Sequence, residues 1–242
     1  MAAVLGTNVA SMFNVNALNK SKQALDTSLA RLSSGSRINS AKDDATGLVS
    51  AIGFDSKLRG SLQAQRNANE GITKAQTNDS YVGQITENLQ RLREIAVQLG
   101  GTASGTETEA LIDENARIAA LVGGTGAVVV DADGGTVTGV GAAPTVSANT
   151  VTTLTVGAIG TQLTSAATSR ASYGADMATF QSASNNLGNS AVNIAAQLSA
   201  IMDTDYATES ANMTKNNILQ QAGTAALSQA NQAPNNITQL LR

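Results

Sequence analysis

The chain has 242 residues with three Phe, three Tyr and no Trp, so a core built on large aromatic side chains is excluded and Ala, Ser, Thr, Asn and Gln must fill the space. It contains neither Cys nor His, which removes disulfides, thiolate metal sites, thiol nucleophiles and the commonest general base. A formal net charge of −3 without interleaved basic and aromatic residues argues against nucleic acid, and no apolar run approaches the roughly 18 residues that span a membrane.

Residues 1–20 show no basic residue before Lys20 and no signal-peptide core, so the chain is either cytoplasmic or exported by a route that needs no cleavable signal. Val15, Leu18, Leu25, Leu29 and Leu32 predict an amphipathic first helix whose heptad is interrupted by Lys22. The stretch RLSSGSRINSAKDDATGL, residues 31–48, follows. Ser36, Arg37, Lys42, Asp43 and Asp44 are catalytic residue types, but no histidine, metal-ligand cluster or complete phosphate loop accompanies them. A joint fits better: Leu32 closes one seam, SSGS breaks the helix, and Ser40 with Asp43 matches a capping box, with Asp43 and Asp44 near the positive end of the helix dipole.

A long helix is predicted from about Ser40 to Leu99, roughly 90 Å at about 1.5 Å per residue. Val82, Ile85, Leu89, Leu92, Ala96 and Leu99 alternate spacings of three and four, and Leu58, Leu62, Gln65, Asn69 and Ile72 are read as the same seam upstream. After the turn LGGTASG, Thr106 with Glu109 fits a capping box, and Leu111, Asn115, Ile118 and Val122 give a third helix ended by Gly123-Gly124. Residues 123–167 turn to Gly, Val and Thr, predicting a small β-rich insert. Its DADGG segment lacks the later acidic ligands of a calcium loop and reads as a hairpin turn. Met177, Phe180, Ser184, Leu187, Ala191, Ile194, Leu198 and Ile201 form a second heptad seam that partners the first.

In residues 203–242 Ile218, Leu219, Ala222, Ala226, Leu227, Ile237, Leu240 and Leu241 give a looser apolar pattern, and Pro234 is expected to end or kink the last helix. So little apolar area predicts that the ends order only against partners. Residues 1–60 carry seven Lys/Arg against four Asp/Glu and residues 171–242 two against four, so the ends attract weakly. The Asn-x-Ser/Thr sequons at Asn19, Asn78, Asn212 and Asn236 are expected by chance in this composition. The fold expected is mainly α, an elongated hairpin-like bundle or coiled coil with paired termini and a small β-rich insert.

LARLSSGSRINSAKDDATGL, QAQRNANEGITKAQT and LQRLREIAVQL near one end, and DTDYATESANMTKNNILQQAGTAALSQANQAPNNITQLLR at the other, resemble the two terminal signatures of bacterial flagellin. The resemblance covers residues 1–122 and 170–242. It implies an inner coiled-coil domain from 1–44 with 201–242, a helical core domain from 45–122 with 168–200, and a variable insert at 123–167. Implied roles are an inter-domain spoke at Ser34, Gly35, Arg37, Asn39, Asp43 and Asp44, and an assembly seam at Leu18, Leu25, Leu29, Leu32, Ile218, Leu219, Leu227, Leu240 and Leu241. The core bundle would hold Val82, Ile85, Leu89, Leu92, Leu99, Phe180, Leu187, Ile194, Leu198 and Ile201.

The resemblance further implies a non-enzymatic, cofactor-free subunit of an extracellular filament that drives swimming. Partners would be further copies of the chain, an export chaperone on the C-terminal segment, a cap protein and the hook–filament junction protein. Export would use the flagellar type III apparatus. The flagellin-sensing Toll-like receptor would meet Arg91, Ile95 and Glu114. Ala200 and Met202 stand where the resemblance leads one to expect basic residues in many relatives. The alternative within the same class is the flagellin-like junction protein itself. An enzyme would need a pocket with a titratable site, and a signalling coiled coil would lack the paired polar ends.

Overall fold

The computed structural model describes residues 8–129, 135–139, 141 and 153–240, the side chains of 233–240 excepted. It is mainly α. The elements in order are α1 (Val9–Ser34), α2 (Ala45–Gln98), β1 (Thr102–Ser104), α3 (Thr106–Leu121), β2 (Ala127–Val129), β3 (Thr136–Thr138), β4 (Thr153–Thr155), α4 (Val156–Met202) and α5 (Tyr206–Leu240). They fall into two units, residues 1–54 with 196–242 and residues 55–195.

In the first unit α1 and α5 run antiparallel. As α1 advances, Asn8 donates to Ala230 O at 2.9 Å, Ser21 Oγ to Asn216 O at 3.0 Å and Ser28 Oγ to Glu209 Oε1 at 2.5 Å. Both facing seams keep strict alternation of three and four, Ser11, Asn14, Leu18, Ser21, Leu25, Ser28 and Leu32 against Glu209, Met213, Asn216, Gln220, Gly223, Leu227 and Ala230, all buried or half-buried. The heptad is therefore not interrupted: Ser21 and Ser28 hold the positions expected of larger apolar residues, while Val15, Lys22 and Leu29 lie outside the seam. Pro234 does not end α5, which continues to Leu240. A proline at 234 cannot donate to the carbonyl of Ala230, and Asn8 Nδ2 supplies that bond instead.

In the second unit the seam of α2 runs unbroken through Ser61, Ala64, Ala68, Gly71, Ala75, Asn78, Val82, Ile85, Leu89, Leu92 and Ala96. Leu62 and Asn69 are exposed, with Gln65 and Ile72 beside the seam, so the upstream stripe read from the sequence is one residue off. The facing stripe on α4 is Ile159, Gln162, Ala166, Ser169, Tyr173, Asp176, Phe180, Ser184, Leu187 and Ala191. Asp176, not Met177, takes the position before Phe180. Two successive spacings of four at Phe180 make a local stutter, which unwinds a coiled coil. Gly71 sits opposite, where a Cβ would stand 3.1 Å from the Phe180 ring. Small residues on α2 thus admit the bulk of α4, and Ser184 Oγ donates to Asn69 Oδ1 at 3.4 Å across the same face.

Leu99 lies past the end of α2 and is 54% exposed, a correction to its expected place in the core. Ile194, Leu198 and Ile201 are half-buried. Around Val82–Ala96 gather Ile112, Ile118 and Val122 of the α3 region with Ile159, Ala166 and Tyr173 of α4. The buried polar Asn115 accepts from Asn88 Nδ2 at 2.8 Å.

Helix α3 is not started by a Thr106 capping box: Gly105 is its N-cap, with no side-chain cap bond. Within the expected LGGTASG turn, β1 pairs antiparallel with β4, Ala103 opposite Leu154. The insert is shorter than 123–167, because α4 begins at Val156; Ile159 and Leu163 keep helical spacing through a Gly- and Thr-rich stretch. Strands β2 and β3 form an antiparallel pair, Val128 opposite Val137, and most of the DADGG turn between them lies outside the described residues.

Candidate assembly surfaces

The joint at residues 31–48 is built from backbone bonds that only certain residues permit. Gly35 adopts φ 71°, the left-handed conformation that closes a helix, and its N–H donates to Arg31 O at 2.9 Å. That turn brings Ser36 into a bridge with Asp203 and lets Thr204 N–H donate to Gly35 O at 3.0 Å. The Arg37 N–H donates to Met202 O at 2.6 Å, and its guanidinium donates twice to Ile201 O, at 3.2 and 2.9 Å. The carbonyls at the end of α4, left without helical donors, are thus satisfied by the strand leaving α1. Ser34 Oγ accepts from Ser36 N at 3.1 Å.

Asp43 and Asp44 divide the capping role. Asp43 Oδ2 accepts from Asn39 N, Ser40 N and Ser40 Oγ at 3.2, 2.9 and 3.0 Å, which closes a turn before the helix. The Ser40 hydroxyl, then the two amides, hold the Asp43 carboxyl below its usual range. The helix itself begins at Ala45, not near Ser40, with Asp44 Oδ1 accepting from Gly47 N at 2.8 Å. Asp44→Ala is therefore expected to cost about 1 kcal/mol, read as a lowered midpoint in thermal unfolding followed by circular dichroism. Ile38, which no sequence pattern singled out, is buried and its Cδ1 lies 2.8 Å from where a Cβ on Gly47 would stand. On the other side Asp205 caps α5, accepting from Ala207 N at 2.9 Å and Thr208 Oγ1 at 2.7 Å; the Thr208 hydroxyl, then the backbone amides, lower its pKa.

Chemically this is a clamp between two helix ends. Among the described residues no group of three or more carboxylate, His or Cys side chains is placed to hold a metal, and no helix is long and apolar enough to cross a membrane.

The large apolar residues of the terminal helices are divided between the seam and the outside. Leu18, Leu25, Leu32 and Leu227 lie in the seam, but Phe13 is 75% exposed and Ile218 60%, with Val9, Met12, Leu29 and Leu219 also turned out. Leu29, Ile218 and Leu219, expected in the assembly seam, thus lie outside the α1–α5 seam. Leu240 carries no described side chain and Leu241 lies outside the described residues. Beside the seam an open groove of about 580 Å³ runs along Ala17, Leu18, Ala24, Leu219, Ala222 and Ala226.

Of the three residues assigned to receptor contact, two face outward. Arg91 Nε donates to Glu107 at 3.0 Å and Nη1 to Glu94 at 3.2 Å, and Glu114 accepts from Arg117 at 2.8 and 2.7 Å. Ile95 is 8% exposed and belongs to the core of its unit, so it presents no contact surface.

The sequence profile of the bacterial flagellin N-terminal helical region matches residues 5–123, and that of the bacterial flagellin C-terminal helical region matches residues 156–241. The flagellin of Salmonella muenchen is 50% identical over 113 residues, 47% of this chain and 22% of that protein. That of Escherichia coli O127:H6 is 49% identical over 115 residues, 47% of this chain and 21% of its own length. This chain thus spans about a fifth of those relatives. The flagellin of Bordetella bronchiseptica is 30% identical over 391 aligned positions that take in all of both chains. With both terminal regions matched, a full-length relative and the mainly helical fold, the chain belongs to the flagellin family.

Proposed function

We propose that this chain is a structural, non-enzymatic subunit that polymerises into the extracellular flagellar filament and so carries swimming motility. The observation that carries this reading is the seam between α1 and α5, in which polar and small residues outnumber large apolar ones, with Phe13, Met12, Ile218 and Leu219 left outside. An isolated pair so built buries little apolar area for the backbone it orders, so its stability is completed by burial against neighbouring copies. Contacts between unlike patches of identical chains propagate as an open helix. The terminal segments then order as they bind, coupling folding to growth. An export chaperone on the C-terminal segment, a cap protein at the growing end and a junction protein at the base complete the set of partners. Arg91 and Glu114 are the residues a flagellin-sensing receptor would read.

Seeded polymerisation of the purified chain tests this. Light scattering and far-UV circular dichroism are expected to rise together, and electron microscopy to show tubular filaments. A chain that stays soluble with all its helix already formed would sink the proposal.

A further inference from the structure

The seam of α1 repeats itself. Leu18, Ser21, Leu25, Ser28 and Leu32 set out the same Leu-x-x-Ser-x-x-x unit twice in succession, so a helix sliding along this face meets the same residue types every seven positions. Asn216, Gln220, Gly223 and Ala230 on α5 discriminate poorly between those positions. Among the fourteen facing seam residues only Glu209 is charged. It is 8% exposed, accepts from Ser28 Oγ at 2.5 Å and lies 3.6 Å from Arg31 Nη1. Arg31 is itself tied to the joint through its Nε, which donates to Arg37 O at 3.1 Å. Ser21, one heptad before Ser28, has Ala24 in the place that Arg31 holds relative to Ser28.

We propose that Glu209 is the positioning residue that fixes the alignment of α1 against α5, and with it the relative height of the outward apolar residues that a neighbouring copy must meet. The proposal rests on the reading of the chain as a polymerising subunit. A slip of one helical turn sets the carboxylate against Leu25 or Leu32, whose side chains offer it no donor. A slip of one heptad towards the start of α1 recovers a serine but loses the guanidinium. Either slip displaces Ile218 and Leu219 relative to Met12 and Phe13, by roughly 5 Å or roughly 10 Å at the helical rise. A single buried polar group that sets helix register at some expense of stability is a known device in coiled coils. The Ser36–Asp203 bridge keeps the start of α5 near the joint, and Glu209 selects the phase in which the helices close.

The absence of Cys allows nitroxide labels to be placed at Gln23→Cys and Lys215→Cys, two exposed positions on the paired helices. Labelled chains are added at about one in twenty to unlabelled wild type growing on seeds, which keeps labels on neighbouring copies apart. Wild type is expected to give one narrow label–label distance. In Glu209→Leu, which remains a good helix former, a second population displaced by roughly 5 or 10 Å is expected. Its incorporation should fall at least tenfold while the helical signal persists. Glu209→Gln keeps an acceptor for Ser28 without the charge for Arg31 and should fall between. An unchanged single distance in Glu209→Leu, or a second alignment with no loss of incorporation, overturns the proposal. Should wild type form no filament, the proposed function falls, and the same distances in the soluble chain decide the alignment alone: a narrow wild-type distance that Glu209→Leu splits upholds the role of Glu209, and any other result overturns it.

Discussion

Phe180→Ala is expected to lower the stability of residues 55–195 by about 3–5 kcal/mol, the usual cost of emptying a fully buried aromatic site. The ring is completely buried and lies over Gly71, at the stutter where the α4 seam changes phase. Helix backbones around a glycine cannot collapse into the space a ring leaves, so little of the cavity should close. Urea unfolding followed by circular dichroism should show a lowered midpoint with an unchanged slope. A loss under about 1 kcal/mol would mean that the helices repack and that the stutter is not held by the ring.

The second large effect is expected at Asp176. Its Oδ2 accepts from Thr125 Oγ1 at 2.5 Å and from Gly141 N at 2.8 Å, pinning both the entry and the exit of the β2–β3 pair to α4. Beside it Gly123 O accepts from Asn78 Nδ2 at 2.6 Å and from Tyr173 Oη at 3.2 Å. Burial, then the charge of Asp176, raises the Tyr173 pKa and keeps that phenol a donor. Asp176→Ala orphans the Thr125 hydroxyl and the Gly141 amide and is expected to cost about 2–4 kcal/mol, with faster amide exchange at Gly141 than at the core amides of α2. Asp176→Asn retains an oxygen for both donors and should cost clearly less. Equal losses in the two variants would show that charge, rather than the acceptor atom, holds the insert.

The sequence made the helices legible where large apolar residues keep time, and obscured them where small ones do. Val82 to Ala96 announced its seam because Leu and Ile mark every turn. The same heptad upstream is carried by Ser61, Ala64, Ala68, Gly71 and Ala75, which no hydropathy pattern distinguishes from a solvated face, so Leu62, Asn69 and Ile72 attracted the assignment instead. At the termini the pattern was legible only in part: Leu18, Leu25, Leu32 and Leu227 lie in the seam as expected, whereas Leu29, Ile218 and Leu219 face outward. The joint was legible as a joint, through Gly35 and the two aspartates. Its clasp was not, because the donation from Arg37 to Ile201 O spans 164 residues and uses a backbone carbonyl that any sequence would supply.

The bond from Asn8 to Ala230 makes the two ends of the chain depend on one another. The amide oxygen of Asn8 accepts from Ser11 N at 3.0 Å and starts α1, while its nitrogen fills the gap that Pro234 opens in α5. One side chain therefore begins one helix and repairs another 222 positions away. A subunit clipped ahead of Val9 would leave α1 without its cap and Ala230 O without that donor, so damage at one terminus is registered at both.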